Sequence, residues 1–193
     1  MTNSHPLFDR TRSCLVVIDV QQYFLNKLPI DQRSSLVARM VWLVRLAVAF
    51  DIPIIATAED IGTNGGLITD VMSVLPRDQN VFDKMVFGLC GQADILEAVR
   101  KTGRDEFVLI GLETDVCICH SAIGLCEQGY RVAAISDASA SPAPHHDAGI
   151  LRMQRAGVTI TNTKGIYYEW VRNLASLERV EALRHNLPPD LTL

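Results

Sequence analysis

The chain has no excess of positive charge: 18 lysine and arginine residues stand against 22 aspartate and glutamate, a formal net charge of −4, and the basic residues are scattered. Without a basic stripe there is no electrostatic footprint for a phosphate backbone, so nucleic acid is not an expected partner. No apolar run is long enough to cross a bilayer, since the longest, Met40 to Phe50, is broken by Arg45. The opening stretch MTNSHPLFDRTRSC is polar and carries no hydrophobic export signal, which leads us to expect a soluble, cytoplasmic protein with no membrane partner. Five cysteines (Cys14, Cys90, Cys117, Cys119, Cys126) are an odd number in a mid-sized chain and make a poor disulfide framework, so reduced thiols are expected. Repeats, linkers and low-complexity tracts are missing. The glycines Gly62, Gly65 and Gly66 lack both the G-x-G-x-x-G spacing and a P-loop lysine, and read as a turn or flap. What remains is ordinary globular composition, 48% hydrophobic and 21% charged over 193 residues, enough for one well-buried domain spanning 1–193.

Apolar runs alternate with helical patterns along the chain. Strands are expected at Cys14–Val20, Ile52–Ala58, Asn80–Lys84, Phe107–Leu112, Arg131–Ala138 and Val158–Thr163. Between them, helices are expected over Arg33–Phe50, weakly near Leu67–Leu75, over Gln92–Thr102, from Cys117 toward Gly129, and over His145–Ala156, with two short helices closing the chain. This alternation predicts a three-layer, Rossmann-like α/β fold, a six-stranded parallel sheet with helices on both faces. Ligands bind such sheets at the carboxyl ends of the strands.

Three reactive side chains are expected at that edge. Cys117 follows the strand FVLIGL at the opening of a helix, with Thr114 or Asp115 as the cap, where the helix dipole favours a thiolate and hence a nucleophile. Asp19 ends the first strand among apolar neighbours, and Lys84 ends the short third strand in VFDKMVFG. Taken singly, each has a bland reading: a packed thiol, a loop-capping carboxylate, a solvated amine. Together they answer one another, because Asp19 can accept the thiol proton while Lys84 holds the carboxylate and favours the charged forms. Phe24 and Phe87 are candidate walls of a substrate pocket. Cys117, Cys119 and His120 form a C-x-C-H string, but the two cysteines would point about 200° apart on a helix, so no metal is expected there. His145 and His146, in SPAPHH, are expected to begin a solvated helix.

With VVIDVQQYF (Val16 to Phe24), Lys84 in FDKMVFG and IGLETDVCI (Ile110 to Ile118), followed by SAIGLCEQGYRV and ISDASAS, the chain resembles the isochorismatase-like cysteine hydrolases over about residues 12 to 172. The resemblance implies the same six-stranded sheet and a triad of Asp19, Lys84 and Cys117. It also implies a non-proline cis peptide before Glu113 and an oxyanion hole formed by the backbone N–H groups of Glu113 and Cys117. Nicotinamidases of this family carry an Asp-x-His metal cluster after the second strand, whereas TAEDIGTNGG here has no histidine. Siderophore-type isochorismatases lack the cysteine, which this chain keeps. The expectation is a cofactor-independent hydrolase acting on a C–N bond of a small-molecule amide or carbamoyl compound, assembled as a homo-oligomer. A catalytically silent homo-oligomeric scaffold or binding protein of the same fold, and a redox or metal-handling protein, are the alternatives.

Overall fold

The computed structural model describes residues 7–193; residues 1–6, part of the polar opening read above for an export signal, lie outside the described residues. The elements run β1 (Ser13–Ile18), α1 (Gln22–Leu25), α2 (Ile30–Ala49), β2 (Ile54–Glu59), α3 (Ile61–Asn64), α4 (Thr69–Met72), β3 (Val81–Lys84) and α5 (Ala93–Lys101). They continue with β4 (Glu106–Leu112), a wide helical turn (Thr114–Ile118), α6 (Cys119–Glu127), β5 (Arg131–Ala140), α7 (His145–Arg155), β6 (Thr159–Thr161), α8 (Thr163–Val171) and α9 (Glu181–Arg184). No helix among the described residues is long and apolar enough to cross a membrane.

The six strands form one sheet in the order β3-β2-β1-β4-β5-β6, and every neighbouring pair is parallel. All of β1 and β4 is buried, as expected for central strands covered on both faces. Side chains alternate between the two layers. Leu15 and Val17 join a core with Met40 and Leu43 of α2 and Ile166 and Trp170 of α8. Cys14, Val16 and Ile18 join a second core with Ile95 of α5, Ala122 of α6 and Met153 of α7. The architecture is therefore the three-layer α/β fold that the alternating pattern predicts.

Local chemistry moves several boundaries. The first strand stops at Ile18 because Asp19 adopts a left-handed conformation with φ 52°, one that aspartate tolerates better than branched residues. The long helix begins at Ile30 rather than Arg33, after Pro29 at its cap and with Asp31 in its first turn. Only Thr69–Met72 of the weak helical stretch is helical. The last strand is shorter than its apolar run because Asn162 accepts a hydrogen bond from Gly165 N–H and starts α8. At Gly111 (φ 131°) a β-carbon would sit 1.9 Å from the Ile18 carbonyl oxygen, so only glycine lets β1 and β4 approach at their carboxyl ends.

Candidate active site

The carboxyl ends of four adjacent strands, β3-β2-β1-β4, supply four polar side chains to one spot. Asp19 follows β1, Glu59 is the last residue of β2, Lys84 is the last of β3, and Cys117 lies in the turn after β4. The connection changes direction between β1 and β4, which is where an open α/β sheet leaves a crevice.

Lys84 is at the centre. Its side chain is wholly buried, and Nζ lies 3.0 Å from Asp19 Oδ2, 3.4 Å from Glu59 Oε2 and 3.8 Å from Cys117 Sγ. Nζ also donates to the carbonyl oxygens of Val86 at 2.6 Å and Phe87 at 3.4 Å. Asp19 is equally buried, and its Oδ1 accepts from Thr57 Oγ1 at 2.8 Å. Cys117 Sγ donates to Glu59 Oε2 at 3.1 Å. Gln21, the glutamine of the D-x-Q motif, fastens the end of β2: its Nε2 donates to the Glu59 carbonyl at 2.8 Å and its Oε1 accepts from Glu59 N–H at 2.7 Å.

The electrostatics overturn the expectation of a resting thiolate. Burial pushes the Cys117 thiol well above its ordinary value, and the negative charge of Asp19 adds to this; the Lys84 ammonium opposes it without prevailing. Position in a first helical turn favours the anion, but two carboxylates and removal from water outweigh it. Burial also raises the Asp19 carboxyl, against the charge of Lys84 and the hydrogen bond from Thr57. For Lys84, burial works against the charge, but the negative charges around it win and its pKa rises. The site therefore favours a protonated thiol beside the Lys84 ammonium, with the Asp19 carboxyl easier to protonate than usual.

Asp19, Glu59 and Cys117 place one ligand atom each within 4.8 Å of one another, a spacing that could hold a cation. The space already contains one: the Lys84 ammonium contacts all three, so a divalent ion would have to displace a buried positive charge. The C-x-C-H string does not converge, since Cys119 is buried in the core between the sheet and α6.

The structure brings Asp19, Lys84 and Cys117 together and adds Glu59, which strand prediction misses because the apolar run ends at Ala58. The peptide bond between Leu112 and Glu113 is cis. Glu113 is tied to Lys27 by an ion pair of 3.1 Å. Thr114 and Asp115 do not cap the helix as expected. They lie inside the wide turn, where Ile118 N–H reaches back to the Glu113 carbonyl at 3.1 Å. Thr114 Oγ1 instead meets His146 Nδ1 at 2.9 Å, and Ser141 Oγ donates to Asp115 Oδ1 at 2.6 Å. His146 is thus half-buried rather than solvated, and burial lowers its pKa. Phe87 is 59% exposed and lines a cavity of about 190 Å³ with Glu59, Asp60, Lys84, Met85 and Val86. Phe24 is buried in the core, with the Lys27 ammonium 4.6 Å from its ring centre.

Known proteins share this arrangement of elements. The probable hydrolase YcaC of Escherichia coli is 24% identical over 98% of this chain and 93% of its own length. Its crystal structure, described as an octameric hydrolase of unknown specificity, superposes with a TM-score of 0.87 over 98% of this chain and 94% of that one. YcaC from Pseudomonas aeruginosa, solved with hexane-2,5-diol and covalent acrylamide, gives a TM-score of 0.83 at 23% identity, covering 93% and 91% of the two chains. N-carbamoylsarcosine amidase from Thermoplasma acidophilum gives 0.67 at 20% identity, covering 79% and 96%. The Isochorismatase domain profile matches residues 13–165, which takes in all four residues at the strand ends, and the chain belongs to the isochorismatase family.

Proposed function

We propose that this chain is a single-domain, cofactor-independent cysteine hydrolase that cleaves a C–N bond of a small amide or carbamoyl-type molecule. The observation that carries the reading is the buried cluster in which one ammonium touches both the Asp19 carboxylate and the Cys117 sulfur. A charge pair taken wholly out of water is costly to keep, and beside a thiol its chemical use is proton transfer.

Asp19 takes the proton of Cys117 as the sulfur attacks the carbonyl carbon, so no free thiolate need accumulate. The N–H groups of Glu113 and Cys117 hold the oxyanion. The C–N bond breaks as the Asp19 carboxylic acid passes the proton to nitrogen, and the amine or ammonia leaves a thioester. Asp19 then removes a proton from water, the resulting hydroxide attacks the thioester, and the acid product departs while the thiol regains its proton. A carboxyl with a raised pKa suits both directions of this exchange. Lys84 is the fixed positive charge that lets Asp19 ionise where burial opposes it. Phe87 is the rim of the pocket, and Phe24 backs the Lys27–Glu113 pair. The amidase among the fold relatives supports an amide substrate, and the octameric Escherichia YcaC supports a homo-oligomer here.

The test is ammonia or amine release from a panel of small amides and carbamoyl compounds. Cys117→Ala should lose turnover on any accepted substrate, and Asp19→Asn should lose roughly 10²–10⁴-fold. Full activity in Cys117→Ala would overturn the mechanism.

A further inference from the structure

We propose that Glu59 selects the substrate by charge, admitting uncharged or cationic molecules that present an N–H donor beside the reacting carbonyl and excluding carboxylates. This rests on the reading of Cys117 as the nucleophile, and adds to it the class of molecule that reaches the sulfur.

A cavity of about 190 Å³ lined by Glu59, Asp60, Lys84, Met85, Val86 and Phe87 adjoins the thiol through Glu59 and Lys84, whose Oε2 and Nζ lie 3.1 Å and 3.8 Å from Cys117 Sγ. That volume is below the usual range for drug-sized ligands, so the molecule is small. Its charged lining is two carboxylates and one ammonium. The ammonium cannot greet an anion, because an ammonium has three N–H groups and Lys84 already faces Asp19, Glu59 and the carbonyl oxygens of Val86 and Phe87. Lys27 is likewise paired, with Glu113. Glu59 differs from Asp19 in being reachable: its side chain is 18% exposed while Asp19 is wholly buried. Its Oε2 takes the bonds from Cys117 and Lys84, and Oε1 accepts none among the described residues. An open oxygen on the carboxylate that is itself bonded to the reactive sulfur is an acceptor for a substrate N–H and a repulsive charge for a substrate carboxylate. Asp60 adds a second negative charge at the rim, its side chain held by a bond from Thr63 N–H. Met85 and Phe87, 66% and 59% exposed, offer apolar contact to the remainder of the molecule.

The proposal is tested with three thiol reagents of matched size: cationic aminoethyl, neutral ethyl and anionic sulfonatoethyl methanethiosulfonate. Labelling of Cys117 is followed by peptide mass spectrometry in the native protein, with the same thiol in denaturant as reference. The ratio of cationic to anionic rate cancels the thiolate fraction, which all reagents share. That ratio should exceed the unfolded reference by roughly ten- to a hundredfold, the effect of one nearby charge at partial screening. Glu59→Gln should bring it back toward the reference, and raised ionic strength should lower it in the unmodified protein, a measurement that needs no variant. Equal cationic and anionic rates, or a ratio unmoved by both Glu59→Gln and salt, would overturn the charge selection while neutral labelling left Cys117 standing as nucleophile. Failure of the neutral reagent to label native Cys117 would overturn both.

Discussion

Replacing Lys84 by methionine keeps an unbranched side chain one atom shorter and deletes the one positive charge in the buried cluster. Asp19 is then a wholly buried carboxylate left with the hydrogen bond from the Thr57 hydroxyl and the Cys117 thiol beside it. Breaking a buried ion pair from one side typically costs about 3–5 kcal/mol. The carbonyl oxygens of Val86 and Phe87 also lose their donor, a smaller loss of about 0.5–1.5 kcal/mol each. Against a total stability of about 5–15 kcal/mol this is a large fraction, and at about 2–4 °C per kcal/mol the loss of the ion pair alone should lower the melting temperature by roughly 6–20 °C. The sign with pH follows from the direction of the Asp19 shift. Burial raises its folded pKa, and without Lys84 that rise is opposed by the Thr57 hydroxyl and the Cys117 thiol alone. A raised folded pKa contributes stability that is present at low pH and lost as pH rises through the folded value. The deficit of Lys84→Met should therefore shrink on acidification, and Asp19→Asn/Lys84→Met should recover much of it by removing the charge. Thermal melts of the three proteins at two pH values decide the matter. A double variant melting as low as Lys84→Met, or a single variant within about 1 kcal/mol of the parent chain, would refute the view that an uncompensated Asp19 carries the cost.

Alkylation of Cys117 by iodoacetamide should rise only at alkaline pH, since burial and the Asp19 charge raise the thiol; Asp19→Asn should move the profile to lower pH, and a native profile centred below pH 8 would contradict the assignment. The raised folded pKa values of Cys117 and Lys84 make the folded state hold protons that the unfolded chain has released. Chemical denaturation should accordingly show stability falling as pH climbs above about 9, and a flat profile there would be inconsistent with both shifts. Gly111→Ala should destabilise by more than the roughly 1–3 kcal/mol of an ordinary strained residue, because the added carbon would meet the Ile18 carbonyl at 1.9 Å; recovery of folded protein with an unchanged melting temperature would show that β1 and β4 can separate at low cost.

Which parts of this were legible beforehand follows from the range of the interactions involved. The central strands announce themselves because both faces are buried, so Val16, Val17 and Ile18 must all be apolar. Asp19 stands out against that background as a charge where none is expected, and Cys117 stands out by its place after FVLIGL. Glu59 was missed because an acidic residue at the end of an apolar run looks like the ordinary return to solvent. Its importance comes from a sulfur 58 positions away in sequence. The caps were misread for a related reason: Thr114 and Asp115 have the right chemistry to cap a helix, but His146 and Ser141 from the segment after β5 claim their side chains.

The amino-acid order by itself determined the alternation of strand and helix, the parallel sheet and the polar residues at the strand ends, because hydrophobic periodicity and turn chemistry act over a few neighbouring residues. The tertiary structure alone decided the protonation state of the site. Whether Cys117 rests as thiol or thiolate depends on how many charges surround it and how much water is excluded, and both are set by four strand ends meeting from distant parts of the chain.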